Sequence, residues 1–144
     1  MKVNNYPLKT PSTGDKLFGS DSNGDQKQFD MSNFGTSTYK VYTALLTQTS
    51  TNAPTAVVLE NTIGNITFNY NGIGSYDMIL TGEFLANKTW IVAGSADINA
   101  GGGDFATLDA RRFDDDTIRL ITYDNFSLAN GMLVNTSIEI RVYN

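Results

Sequence analysis

Period-2 alternation of apolar and polar residues dominates this chain. In Asn65-Ile66-Thr67-Phe68-Asn69-Tyr70 the apolar side chains take one face and the polar ones the other. Tyr76, Met78 and Leu80 share a face with Asp77 opposite, and Ile118 and Leu120 lie opposite Arg119. Ile138, Ile140 and Val142 share a face, with Glu139 and Arg141 on the other side. Such alternation predicts half-buried β-strands. Val41 to Leu46 and Trp90 to Ala93 are more continuously apolar, which predicts strands covered on both sides. Ala56 to Glu60 and Phe105 to Arg112 are weaker strand candidates.

No segment carries an apolar stripe at helical spacing. Short helical turns are expected only near Met31–Phe34 and Phe126–Asn130. Asn71-Gly72-Ile73-Gly74 separates two strands at hairpin distance, and Gly101-Gly102-Gly103 marks a loop. Roughly seven or eight short strands with regular turns between them predict an all-β fold, an antiparallel β-sandwich or jelly-roll-like domain over residues 37–144. A chain of this size removes roughly two-thirds of its surface from water on folding, enough to fold without staples.

The opening segment is built differently. Lys16–Ser20 and Gln26–Met31 predict one β-hairpin across the turn string Asp21-Ser22-Asn23-Gly24-Asp25. An isolated two-stranded hairpin is marginal in water. Its apolar residues are few, namely Leu17, Phe18, Phe29, Met31 and Phe34, and they need a second surface to bury against. Residues 1–36 therefore read as an N-terminal extended arm that docks through those five side chains.

Composition narrows the chemistry. The 144 residues contain no cysteine and no histidine. Disulfides, thiolate zinc sites and the commonest general base are thereby excluded. Net charge is −5, so no positive field draws nucleic acid. No apolar run approaches a membrane-spanning helix, and the polar Met1-Lys2-Val3-Asn4-Asn5 predicts no signal peptide of the usual form.

Three candidate sites remain. Asp21, Asn23 and Asp25 alternate oxygen ligands as calcium loops do, but Gln26 and Ser32 stand where such a loop wants Gly and Glu, so a hairpin turn is the preferred reading. Asp114-Asp115-Asp116 could hold a cation or, with Asp109 or Asp124, supply paired carboxylates for glycoside hydrolysis. A charged turn shielded by Arg111, Arg112 and Arg119 is the simpler expectation. Tyr70, Tyr76 and Tyr123 are candidates for glycan contact, whereas Trp90, the one Trp of the chain, is expected to anchor the core. No catalytic, cofactor or metal residue is assigned.

The stretch from Gly14 to Phe34 resembles a segment common near the N-termini of bacteriophage virion proteins, fibre-type proteins above all. Gly14-Asp15 supplies the opening, Leu17-Phe18 the first strand and Asn23-Gly24-Asp25 the turn. Lys27 and Phe29 lie on the second strand, and Met31-Ser32-Asn33-Phe34 forms the exit, with Ser32-Asn33 where an acidic residue is more usual. The stretch from Asn65 to Phe84, with Gly72-Ile73-Gly74-Ser75-Tyr76 at its centre, is similar to a unit of phage fibre and head-decoration domains. The resemblance implies a virion structural protein, and a short chain without histidine, cysteine or a convergent motif is expected not to be an enzyme. The resemblance further implies a homotrimer, attached to capsid or tail protein through the arm and projecting a β domain that could touch a host surface glycan. A carbohydrate-binding module without an assembly role is the alternative, and a carboxylate-dependent polysaccharide hydrolase the weakest reading.

Overall fold

The computed structural model describes residues 16–20, 22–30, 38–96 and 106–144. The chain divides into two units, with the boundary between Ser37 and Thr38. In the first unit β1 (Lys16–Ser20) pairs antiparallel with β2 (Gln26–Asp30). Lys16 stands opposite Asp30 and Leu17 opposite Phe29. Gly24 takes a φ of 85° in the turn between them, the left-handed conformation that Asn23-Gly24 predicts. Met31 and Phe34, the calcium-loop candidate Asp21, and the triglycine Gly101–Gly103 lie outside the described residues.

The second unit is an all-β sandwich of two antiparallel sheets. One contains β3 (Tyr39–Thr47), β4 (Thr55–Asn61), β7 (Thr89–Ala93) and β11 (Thr136–Tyr143), in the order β4-β3-β11-β7. The other contains β5 (Thr67–Gly72), β6 (Ser75–Ile79), β8 (Ala106–Arg112), β9 (Thr117–Asp124) and the two-residue β10 (Ser127–Leu128). Here β9 is central, joining β6 and β10 along one side and β8 along the other.

Register converts the alternation in the sequence into one core. Opposed residues of an antiparallel pair point to the same face. Ile140 opposes Tyr42, and Ile138 opposes Ala44. In the second sheet Tyr76 opposes Leu120, and Met78 opposes Ile118. All eight are buried in a single cluster, to which Phe84 and Leu133 contribute from connections between strands. Each fully buried Leu, Ile or Met side chain there stabilises the fold by about 1.5–3 kcal/mol relative to exposure.

Two expectations fail for the same geometric reason. β3 and β7 are covered on one face only, and Trp90 does not anchor the core. It is 43% exposed. Ile91 opposes the buried Ile140 and therefore points inward, so its neighbour Trp90, opposite Arg141, points outward. The large buried aromatics are Tyr42, Tyr76 and Phe84. The expected helical turn at Phe126–Asn130 is also absent. Asn125 and Phe126 have φ of 46° and 67°, which a right-handed helix excludes. They form a two-residue turn, with Ser127 returning opposite Asp124.

Candidate functional site

At one end of the sandwich, a buried amide ties three loops together. Gln48 follows β3 with its side chain inside the fold. Its Nε2 donates to the carbonyls of Ser50 (2.7 Å) and Asn52 (3.0 Å). Its Oε1 accepts from the Tyr76 hydroxyl (3.0 Å) and from the backbone N–H of Gly131 (2.5 Å). Asn130 completes the hub. Its Oδ1 accepts from Gly74 N–H (2.8 Å) and lies 3.2 Å from the Tyr76 hydroxyl, while its Nδ2 donates to the Tyr70 hydroxyl (3.2 Å). Among the described residues no buried side-chain nitrogen or oxygen lacks a partner, as a stable buried polar network requires.

This arrangement removes Tyr76 from the glycan-contact candidates. Tyr76 has no exposed surface, so a sugar cannot reach it. Alternation placed it on the correct face, and that face is the core. Burial, reinforced by the nearby Tyr70, pushes its phenol above the ordinary tyrosine value against the lowering effect of a Thr122 hydrogen bond. Tyr76 therefore remains a protonated donor in neutral solution. Tyr70 is half-buried, its ring 6.0 Å from that of Tyr76. Tyr123 is half-buried on β9, opposite Leu128 and Thr107.

The acidic run at the β8–β9 turn is a clasp. Asp116 Oδ1 accepts from Gly82 N–H (2.6 Å), Asp115 pairs with Arg112, and Asp114 Oδ1 accepts from Asp116 N–H (3.0 Å). Backbone bonds from Leu80 to Asp116 (2.9 Å) and from Phe84 to Asp115 (2.8 Å) finish the attachment. The clasp holds the 80–84 connection so that Phe84 enters the core. Among the described residues no three acidic side chains gather as a metal would require.

On the outer face of the five-stranded sheet, Arg119 donates to both oxygens of Asp77 (2.8 and 3.2 Å). The same guanidinium lies 3.9 Å from the Phe113 ring centroid. Burial, the largest influence on Asp77, raises its carboxyl pKa. Hydrogen bonds from Arg119 and Asn71 and the Arg119 charge outweigh it, so the group ends below the ordinary aspartate value. A depressed folded-state pKa contributes stability that is present above the unfolded value and lost as pH falls through the folded one. Asp77→Asn is therefore expected to cost about 1–2 kcal/mol at pH 7. It should also reduce the loss of stability between neutrality and strong acid, which urea unfolding at pH 7 and pH 3 measures.

The outer face of the four-stranded sheet carries the aromatic group to which Trp90 belongs. Arg141 lies 4.8 Å from the ring centroids of both Trp90 and Tyr39. Its Nε donates to Glu139 (2.5 Å), and the Tyr39 and Tyr143 rings stand 5.3 Å apart. Cation–π contact of this kind stabilises by about 0.5–1 kcal/mol at exposed sites. The signal was the parity of Trp90 with Arg141, legible only once β7 and β11 are known to pair.

Compared with known proteins, the chain matches no family model, no curated protein and no solved structure.

Proposed function

We propose that this chain is a non-enzymatic structural protein of a bacteriophage particle. The arm of residues 1–36 fixes it to capsid or tail protein, and the β module projects from the particle. The observation that carries the reading is the division of labour along the chain. The first unit offers, among the described residues, two paired five-residue strands and no third strand. The second unit holds a core of its own: among the described residues, every member of the buried cluster lies between Tyr42 and Val142. A hairpin of that size gains stability from a larger surface, and strand pairing along an edge is one way for a host protein to supply it. The resemblance of Gly14–Phe34 to virion arms names the kind of host. The engagement of Asp114, Asp115 and Asp116 in the clasp supports a role without catalysis.

Removal of residues 1–37 tests this reading. In particles assembled in the infected host, the truncated chain is expected to fold, by circular dichroism of the purified protein, and to be missing from purified virions. Incorporation at the level of the full chain would defeat the docking role.

A further inference from the structure

We propose that Asn23-Gly24, in the β1–β2 turn, is a self-modifying site. There the folded chain loses ammonia and gains a carboxylate, while the fold holds its two other Asn-Gly pairs unreactive. This inference concerns the chemistry of the free chain and stands or falls separately from the attachment role.

The sequence contains three Asn-Gly pairs, Asn23-Gly24, Asn71-Gly72 and Asn130-Gly131. In such a pair no Cβ screens the glycine nitrogen. That nitrogen gives its proton to solvent and attacks Cγ of the asparagine. The new N–Cγ bond closes a succinimide ring, and the Cγ–Nδ2 bond breaks as Nδ2 leaves with a proton as ammonia. Water then opens the ring. Cleavage of the new N–Cγ bond leaves aspartate. Cleavage of the original backbone C–N bond leaves isoaspartate, with the chain rerouted through Cγ. Water is the one co-reactant, and nothing is oxidised or reduced.

Room for the ring does not distinguish the three pairs, since a Cβ added at Gly24, Gly72 or Gly131 would meet nothing within 4 Å. Hydrogen bonding does. Gly131 N–H donates to Oε1 of the buried Gln48 (2.5 Å), which holds the proton that must leave. The Asn130 amide is fixed at both ends, by Gly74 N–H (2.8 Å) and by the Tyr70 hydroxyl (3.2 Å). Asn71 is held by a hydrogen bond to the buried carboxylate of Asp77. Gly72 is paired opposite Ser75, and the bond from Thr122 N–H to the Gly74 carbonyl (2.8 Å) clamps that turn to β9. Asn23 and Gly24 stand differently. Residues 22–28 are all exposed, so water can replace any bond made there. The turn joins two five-residue strands, and a hairpin of that size opens readily.

The product alters the hairpin. Isoaspartate adds an atom to the backbone of a turn whose length sets the β1–β2 register. Either product places a second carboxylate beside Asp25.

Incubation of the purified full chain in mildly alkaline buffer, followed by peptide mass mapping, tests the inference. The peptide containing Asn23 should gain about 1 Da and divide into aspartate and isoaspartate forms. The peptides containing Asn71 and Asn130 should change more slowly by about tenfold to a hundredfold, the factor that opening their hydrogen bonds imposes. In guanidinium chloride the three rates should converge. Asn23→Gln, whose longer side chain must close a larger ring, should abolish the mass gain at that peptide and leave the other two unchanged. A folded chain in which Asn23 is modified no faster than Asn71 and Asn130 overturns the inference. So does a selectivity that survives in guanidinium chloride, since it would belong to the local sequence and not to the fold.

Discussion

Gly74→Ala is expected to remove about 3 kcal/mol or more of stability, the largest loss from any single added methyl in the β module. Gly74 sits in the β5–β6 turn with a φ of 63°. There a side chain costs about 1–2 kcal/mol from local sterics alone. The neighbours make it worse. A Cβ at this position would lie 2.5 Å from the Thr122 carbonyl oxygen and 2.7 Å from the Ala129 nitrogen. Both atoms are backbone, so no rotamer change relieves the overlap. The strands must part, and overpacking of that kind adds about 1–3 kcal/mol. Parting them also endangers the bond from Thr122 N–H to the Gly74 carbonyl (2.8 Å) and the bond from Gly74 N–H to Asn130 (2.8 Å). Gly82→Ala separates the two causes. Gly82 has a φ of 69° with no neighbour within 4 Å of its added Cβ, so it should lose only the local term of about 1 kcal/mol. Urea unfolding of the two variants decides the matter. Equal losses would mean that close approach to β9 contributes nothing.

The same turn shows how far the sequence reaches. Asn71-Gly72-Ile73-Gly74 signals a hairpin by composition, and alternation on either side identifies β5 and β6. The run Ile138-Glu139-Ile140-Arg141-Val142 likewise discloses both the strand and its inward face, because polar and apolar residues take turns. Where that contrast is missing, the sequence loses the face. Trp90-Ile91-Val92-Ala93 is apolar throughout, and only pairing with β11 decides that Ile91 turns inward and Trp90 outward. Pairing partners are long-range, as with Thr43 opposite Glu139, and no local pattern encodes them. Phe126 hid a different feature. Two-residue turns with positive φ favour Asn-Gly. Here Asn125-Phe126 makes such a turn, leaving a bulky aromatic 86% exposed in a conformation that disfavours it. The carboxylates of Asp114–Asp116 were legible as a charged turn, but their grip on Gly82 and Phe84 depends on a connection roughly thirty residues away. The hairpin at the start of the chain was legible from its turn residues Asn23-Gly24, and the pairing of Leu17 with Phe29 agrees with it.

Gln48 is the residue whose importance was least visible, since Thr47-Gln48-Thr49 reads as a polar strand end. Gln48→Leu keeps most of the volume and removes every hydrogen bond of the amide. The losses are unequal. Ser50 and Asn52 lie in an exposed loop, so water can replace the bonds to their carbonyls. Tyr76 retains Asn130 as an acceptor at 3.2 Å. Gly131 N–H has no such substitute among the bonds described, and a stranded donor costs about 1–3 kcal/mol. Gln48→Leu is therefore expected to lose about 2–3 kcal/mol, and Gln48→Ala about 1 kcal/mol more because it also leaves a void. A double-mutant cycle with Tyr76→Phe should return a coupling of about 1 kcal/mol, as expected for partners in one network. Amide exchange should accelerate at Gly131 and across 50–52, while β11 remains protected. The turns bearing Ile73 and Phe126, both exposed, attach to this hub through Gly74, Thr122 and Ala129. A neutral Gln48→Leu, with exchange unchanged at Gly131, would mean that the strands alone fix this end of the sandwich and the amide hub merely fills it.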